Sequence, residues 1–376
     1  MRLASACLAM AIAAGSMAAA RGGSPGPSGE IVIGLIVPQE AGELAAAGRA
    51  ALCGSEAAVR RAREGRVAGV NPARSIRLVT AVSGHPWDDP APAIARLIHD
   101  QGASIIIGGL DAATAHAGEQ VVLRERGRAL FISIWASEDA LTQLPVPWYF
   151  SVVPDDRRQA RILSREIFET RGGRGAAIVA DGSRDGRSAA AAFEAAAPAG
   201  AVLRLAAEDE EVVARIAAAA RTGGIQAVVL AAGPEASVRA AREIARRVPG
   251  LPILGMLRLA TFDFGRRGET PGISVAVLWP APPDPEAFAS VGGLCAAPGD
   301  EPGPIARYAY DATTAAIAAL SPSDGGAMRP LEQRLAAVSF SGASGPVRFN
   351  PASRGGSTPG LVPVALSTVP AGAAAR

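Results

Sequence analysis

From Glu30 onward, apolar runs of strand length alternate with segments of helical length and period. The runs EIVIGLIV, SIRLVTAV, SIIIGG, ALFISI, GAAIVA, AVLRLA, IQAVVLAA, LPILGM and ISVAVLW are separated by amphipathic stretches such as LAAAGRAALCGSEAAVRRAREG, DPAPAIARLIHDQ, DRRQARILSREIFETR, EEVVARIAAAARTGG and PEASVRAAREIARRV. Short runs rich in Ile and Val, apolar on both faces, suit parallel strands covered on both sides. The repetition therefore predicts a doubly wound α/β protein, with more strands than one such sheet comfortably holds. At 376 residues the chain is also long for a single core, so two lobes are expected.

The connections divide the chain in the same way. PVPWYFSVVPDD, Pro145 to Asp156, and WPAPPDPEAF, Trp279 to Phe288, read as proline-bearing links. Two helices follow, GPIARYAYDATTAAIAAL and RPLEQRLAAV, then SFSGASGPVRFN and a late apolar run, LVPVALSTV. These pieces are too few for a third domain, so they are expected to complete lobes already begun. The expected division is residues 30–144 and 280–340 in the first lobe, and residues 145–279 and 341–370 in the second.

Ahead of the α/β pattern, MRLASACLAMAIAAGSMAAARGG has one early basic residue, an apolar run and small residues through Ala18, Ala19 and Ala20. That is the form of a secretory signal peptide over residues 1–20, cleaved near Ala20, and it predicts export to the periplasm. A membrane anchor is the alternative, less suited to a run made mainly of Ala and Gly and followed by the loose RGGSPGPSGE. The mature chain then keeps Cys53 and Cys295, either bridged or as two buried thiols; spacing leaves both open.

Charge adds a negative conclusion. All 37 basic residues are arginine, the formal net charge is +2, and the arginines are scattered along helices beside glutamates. No phosphate-tracking stripe arises, and no nucleic-acid partner is expected. Catalytic signatures are also missing: no G-x-S-x-G elbow, no P-loop, no G-x-G-x-x-G and no H-E-x-x-H occurs. His99 falls at a helix end, and His85 with Asp88 and Asp89 has a metal-like density of ligands, although their Asp-Asp-Pro is also an ordinary helix entry. The two cysteines give no zinc pattern, and no catalytic residue, metal or cofactor is assigned.

A binding role then directs attention to loops after the strands, because open α/β sheets hold ligands outside the carboxyl ends of their strands. The first such loop is VPQEAGE, with Glu40; the second is GGLDAAT, with Asp111, Ala113 and Thr114; the third is SIWASEDALT, with Trp135, Ala136 and Ser137. Thr114 and Ser137 also fit plain helix capping, and Trp135 also fits core burial.

The ordered landmarks EIVIGLIVPQEAGELAAAGRAAL, DDPAPAIARLIHDQGASIIIGG, ISIWASEDALT, RGAAIVADGSRDGRSAAAAFEAA, GGIQAVVLAAGPEASVRAAREI, YAYDATTAAIAAL and FSGASGPVRFNPASRG cover about Glu30 to Gly355. As a set the chain resembles the type I periplasmic substrate-binding proteins of ABC transporters, the branch that includes the leucine/isoleucine/valine-binding proteins. The resemblance implies two Rossmann-like lobes joined by three crossover hinge segments, the third near Ser339 to Gly345. It also implies a protein that closes, without chemistry, on a small polar or carboxylate-bearing molecule such as an amino acid or related metabolite and docks on an inner-membrane permease; a monomer is expected. A periplasmic sensor or accessory protein of the same fold is one rival reading, and an enzyme is the other.

Carried over by resemblance, the loop that holds a ligand carboxylate falls on Ala112, Ala113 and Thr114, and its neighbour on Ala136 and Ser137. Asp185 stands where Tyr or Phe is common, Gly233 where an aromatic is frequent, and Leu257 or Arg258 where an acid often holds an ammonium. The carboxylate side of an amino-acid site is partly kept, while its aromatic wall and its customary ammonium anchor are not. Asp185 and Arg258 lie either in the cleft or solvated at loop tips. Asp111, an acid beside a carboxylate pocket, either points away or marks an unusual ligand.

Overall fold

A computed structural model describes residues 29–38, 44–67, 70, 74–83, 89–143, 146–260, 274–296, 301–321, 329–349 and 360–365. Glu40 and His85 lie outside these residues.

The first sheet is parallel, in the order β2 (Ile76–Val82), β1 (Ile31–Val37), β3 (Ile105–Gly108), β4 (Leu130–Ser133) and β5 (Tyr149–Ser151). Its helices are α1 (Ala45–Arg63), α2 (Ala91–His99), α3 (Ala112–Glu125) and the single turn α4 (Ala140–Gln143). The three consecutive isoleucines of β3 show why such runs fold this way. Ile105 and Ile107 pack on one face with Ile33, Leu35 and Ile132, whereas Ile106 packs on the other with Leu97 and Phe131. Strand side chains alternate in direction, so a run apolar at every position is buried only when both faces are covered.

The second sheet has the order β13 (Gly360–Ala365), β10 (Ser274–Trp279), β9 (Ile253–Gly255), β8 (Ala227–Leu230), β6 (Ala176–Ala180) and β7 (Val202–Ala206). All its pairings are parallel except that of β13 with β10, where Val277 faces Val362 in antiparallel register. Helix α5 (Asp156–Ser164), continued by a π-helical segment (Arg165–Thr170), enters this lobe, and α6 (Arg184–Ala196), α7 (Val212–Arg221) and α8 (Pro234–Arg247) alternate with its strands.

Two elements arise within the stretches read as links. Strand β5 occupies the first of them, and Tyr149 stacks on Phe131 at 5.8 Å between ring centroids. In the second, α9 (Pro285–Cys295) begins where Asp284 caps it, its carboxylate accepting from the Ala287 N–H at 2.9 Å. An aspartate followed by proline starts a helix as readily as it marks a link, which is why the proline-rich reading missed α9. The last helices are α10 (Pro304–Leu320), which packs along α1, and α11 (Leu331–Ala336). Gly54 of α1 lies so close to α10 that a methyl group there would overlap the Ala306 carbonyl. Cys53 on α1 and Cys295 at the end of α9 are bridged, their Cα atoms 5.6 Å apart.

The hairpin of β11 (Ser339–Gly342) and β12 (Gly345–Arg348) is held to α10 by buried polar groups. Asp311 accepts from the backbone N–H groups of Ala343 and Ser344, both at 2.7 Å, and from the Ser344 hydroxyl. One turn earlier, the Arg307 guanidinium donates to the carbonyls of Ala343 at 2.6 Å and Ala281 at 3.0 Å. The segment after β10 and the hairpin are thereby tied to one helix. No helix among the described residues is long and apolar enough to cross a membrane.

Candidate functional site

The carboxyl ends of β3 and β4 carry the first wall of the site. Gly109, at φ +72°, turns the chain out of β3, in a left-handed conformation that glycine adopts freely. Asp111 then caps α3: its carboxylate accepts from the Thr114 N–H at 2.7 Å and from the Thr114 hydroxyl at 2.9 Å. Thr114, only 6% exposed, therefore spends both donors on its own chain. Ala113 beside it is exposed. After β4, Trp135 packs against Tyr308 of α10 with ring centroids 6.2 Å apart, and the Ala136 N–H donates to the Gly109 carbonyl at 2.8 Å. Ser137 does not cap α4. Its hydroxyl donates to Asp156 at 2.7 Å.

The opposite wall comes from β6, β8 and β9. Asp181, the first residue after β6, accepts from the Gly233 N–H at 2.6 Å, from the Ser183 N–H at 3.1 Å and from the Ser183 hydroxyl, and Arg258 lies 3.8 Å away. Burial pushes this carboxyl up, but the Ser183 hydroxyl, the Arg258 guanidinium and the Gly233 and Ser183 amides outweigh it, and the group ends below the usual carboxylate range. Arg258 also donates to the Ala231 carbonyl at 2.9 Å. Asp185, in the first turn of α6, is raised chiefly by burial; Arg258 opposes this, while Asp111, Glu138 and Asp181 add to it. Asp185 stands beside Arg184 and three residues before Ser188, at the end of α6 whose Arg184 reaches Glu138 of the first lobe.

Contacts across the lobes centre on α6. Glu138, 7% exposed, accepts from His116 at 2.8 Å with one oxygen and from Arg184 at 3.0 Å with the other. The His116 imidazole is raised from its ordinary value, first by its bond to Glu119 and then, against burial, by Glu138. Four residues along α6, the Ser188 hydroxyl donates to Asp156 at 2.6 Å, so Asp156 joins Ser137 of the first lobe to Ser188 of the second.

Asp156 is fully buried with two hydroxyl partners, and burial lifts its carboxyl to about 7. The folded chain then holds a proton that the unfolded chain, with an ordinary aspartate value of 3.8, has released. Stability from this group accordingly falls as pH rises from about 4 to about 7 and is flat above that window. Asp156→Asn keeps an acceptor for one serine and a donor for the other without the charge. It is expected to be more stable than the parent near neutral pH, by at most about 4 kcal/mol, with the gain shrinking toward pH 4. Urea denaturation of both proteins at several pH values measures this, and a difference independent of pH would contradict it.

Of the residues singled out in the sequence, Asp111 and Thr114 meet each other, Gly233 and Arg258 both meet Asp181, and Ser137 meets Asp156. Asp185 shares the first turn of α6 with Arg184, whereas Trp135 and Ala136 are engaged within the first lobe. Sequence reasoning missed Asp181, Asp156, His116 and Arg184. Asp181 had a legible signal, as the first polar residue after an apolar strand; Asp156 and Arg184 had none, because their partners are remote in sequence. His99 pairs with Glu125 at 3.0 Å on the flank of the first lobe, and Asp89 accepts from the Ala91 N–H at the entry to α2. No group of three or more His, Cys, Asp or Glu with metal-site geometry occurs among the described residues. A cavity of about 210 Å³ lined by Ile167, Arg171, Gln226 and Pro252 lies at the amino ends of β6, β8 and β9, opposite the polar walls.

Two doubly wound lobes with polar walls meeting at the carboxyl ends of their strands define the type I periplasmic-binding-protein fold. The chain belongs to the periplasmic binding protein family, which it matches over residues 30–363. Among solved structures it is similar to an ABC transporter substrate-binding protein from Sphaerobacter thermophilus, at 19% identity and TM-score 0.70 over 91% of this chain and 98% of that one. It is similar to the branched-chain amino acid substrate-binding protein LivJ of Streptococcus pneumoniae in complex with isoleucine, at 17% identity and TM-score 0.67 over 90% and 96% of the two chains. A solute-binding protein of Rhodopseudomonas palustris in complex with benzoate aligns at 20% identity and TM-score 0.65 over 91% and 98%. Comparison with curated proteins finds no match.

Proposed function

We propose that the chain is the exported solute-binding component of an ABC-type uptake system and captures a small polar molecule between its lobes without transforming it. The observation that carries this reading is the pair of contacts between the two lobes, Arg184 with Glu138 and Ser137 with Asp156. Such contacts form and break as lobes close and open, so a ligand that bridges both walls shifts that equilibrium by its differential affinity. The segment holding Asp156, the stretch through Ala281 and the β11–β12 hairpin serve as the hinge strands. The proposed site comprises Asp111, Ala113, Thr114, Trp135, Ala136, Ser137, Asp185, Gly233 and Arg258, together with Glu40 of the loop after β1. A membrane permease receives the closed form.

The test is a panel of small polar metabolites offered to the purified mature chain, followed by thermal unfolding and small-angle X-ray scattering. A cognate solute at 100 times its Kd is expected to stabilise the fold by about 2.7 kcal/mol and to reduce the radius of gyration. A panel in which no compound does either would overturn the reading.

A further inference from the structure

Resting on the solute-binding reading, we infer that the cleft selects an organic cation lacking a carboxylate. The isoleucine and benzoate held by the similar structures are both carboxylates. A carboxylate needs N–H and O–H donors, and here five donors on the cleft walls are engaged by acids of the chain itself. The Thr114 amide and hydroxyl serve Asp111, the Gly233 amide serves Asp181, and the Ser137 and Ser188 hydroxyls serve Asp156. Asp111 thus stands as a built-in carboxylate where an incoming one would bind.

The charges lead to the same class of ligand. Arg184 is paired with Glu138, and Arg258 with Asp181 and the Ala231 carbonyl. Two acids, Asp111 from the first lobe and Asp185 from the second, have no cation of the described residues paired with them, although Arg258 acts on Asp185 from a distance. Asp185 has no hydrogen bond among the described residues, and it follows Arg184 at the end of α6 that reaches Glu138 of the first lobe. Bringing like charges together while water is expelled is unfavourable, and a cation seated between them reverses the sign. A ligand carboxylate would add a further like charge to the same space. Specificity then arises from repulsion of acids as much as from attraction of amines. Asp185 is the specificity-determining residue, in contact with the cationic group.

Calorimetric titration of the mature chain with matched probes tests the inference: leucine against isoamylamine, arginine against agmatine, with choline as a quaternary cation and benzoate as an acid. At least one amine or choline is expected to bind about 10-fold or more tightly than leucine, arginine and benzoate, and Asp185→Asn to weaken that binding about 10-fold or more. The comparison of probes on the unaltered chain needs no variant, so it survives a substitution that fails to fold. Tighter binding of the acids, or amine affinity unchanged in a folded Asp185→Asn protein, overturns the inference. Benzoate or leucine compacting the protein while the amines do nothing would remove the cation inference and leave solute binding intact. Silence of every probe, together with a silent metabolite panel, would overturn both.

Discussion

Replacing Cys53 and Cys295 with alanine is expected to lower the stability of the mature chain by roughly 2–5 kcal/mol. The bridge joins residues 242 apart in sequence, so it closes a very long loop and removes many conformations from the unfolded chain. It also fixes α9, which follows the crossover from the second lobe, onto α1 of the first. Its loss frees the chain on which the helix 304–320 returns, so the native state loosens as well. Denaturant midpoints measured with and without reductant check this on the unaltered protein, with the double alanine variant as the reference insensitive to reductant. An equal midpoint in all three cases would refute the expectation.

Asp311→Ala is expected to cost about 3–5 kcal/mol. The carboxylate is fully buried, and burial lifts it to about 7 against the opposing pull of the Ser344 hydroxyl, the Ser344 and Ala343 amides and Arg307. Alanine leaves two backbone amides and a hydroxyl of the hairpin without an acceptor, and leaves Arg307 buried without its neighbouring acid. Asp311→Asn retains one acceptor and is expected to cost less. Because the hairpin is a hinge strand in the proposed closure, hydrogen exchange at Ala343 and Ser344 should rise in Asp311→Ala beyond the change in global stability. Exchange that tracks global stability alone would show the anchor to be dispensable.

These two anchors also show where sequence reading ends. The isoleucines of β3 announce a covered parallel strand because alternation is a local property, legible in four residues. The start of α3 is local too, but the sequence reads as capping at Thr114, whereas the cap is Asp111 three residues earlier, whose carboxylate holds the Thr114 N–H. By contrast, the pairing of Cys53 with Cys295 and the meeting of Ser137, Asp156 and Ser188 depend on how two lobes come together, and spacing carries no trace of that. Strand β5 was hidden for another reason: at three residues beside prolines, it is too short to display alternation. Among the candidate residues, the loop after β3 is singled out for following a strand, while Asp181, placed the same way after β6, is passed over, and Trp135 turns back to the core.

Arg184 and Ser188 stand one helical turn apart on α6, and each engages a separate fixed acceptor. Only the first of these acceptors belongs to the other lobe: Glu138 keeps one carboxylate oxygen on His116 of its own lobe and offers the other to Arg184, so it acts as a latch that opens without leaving its seat.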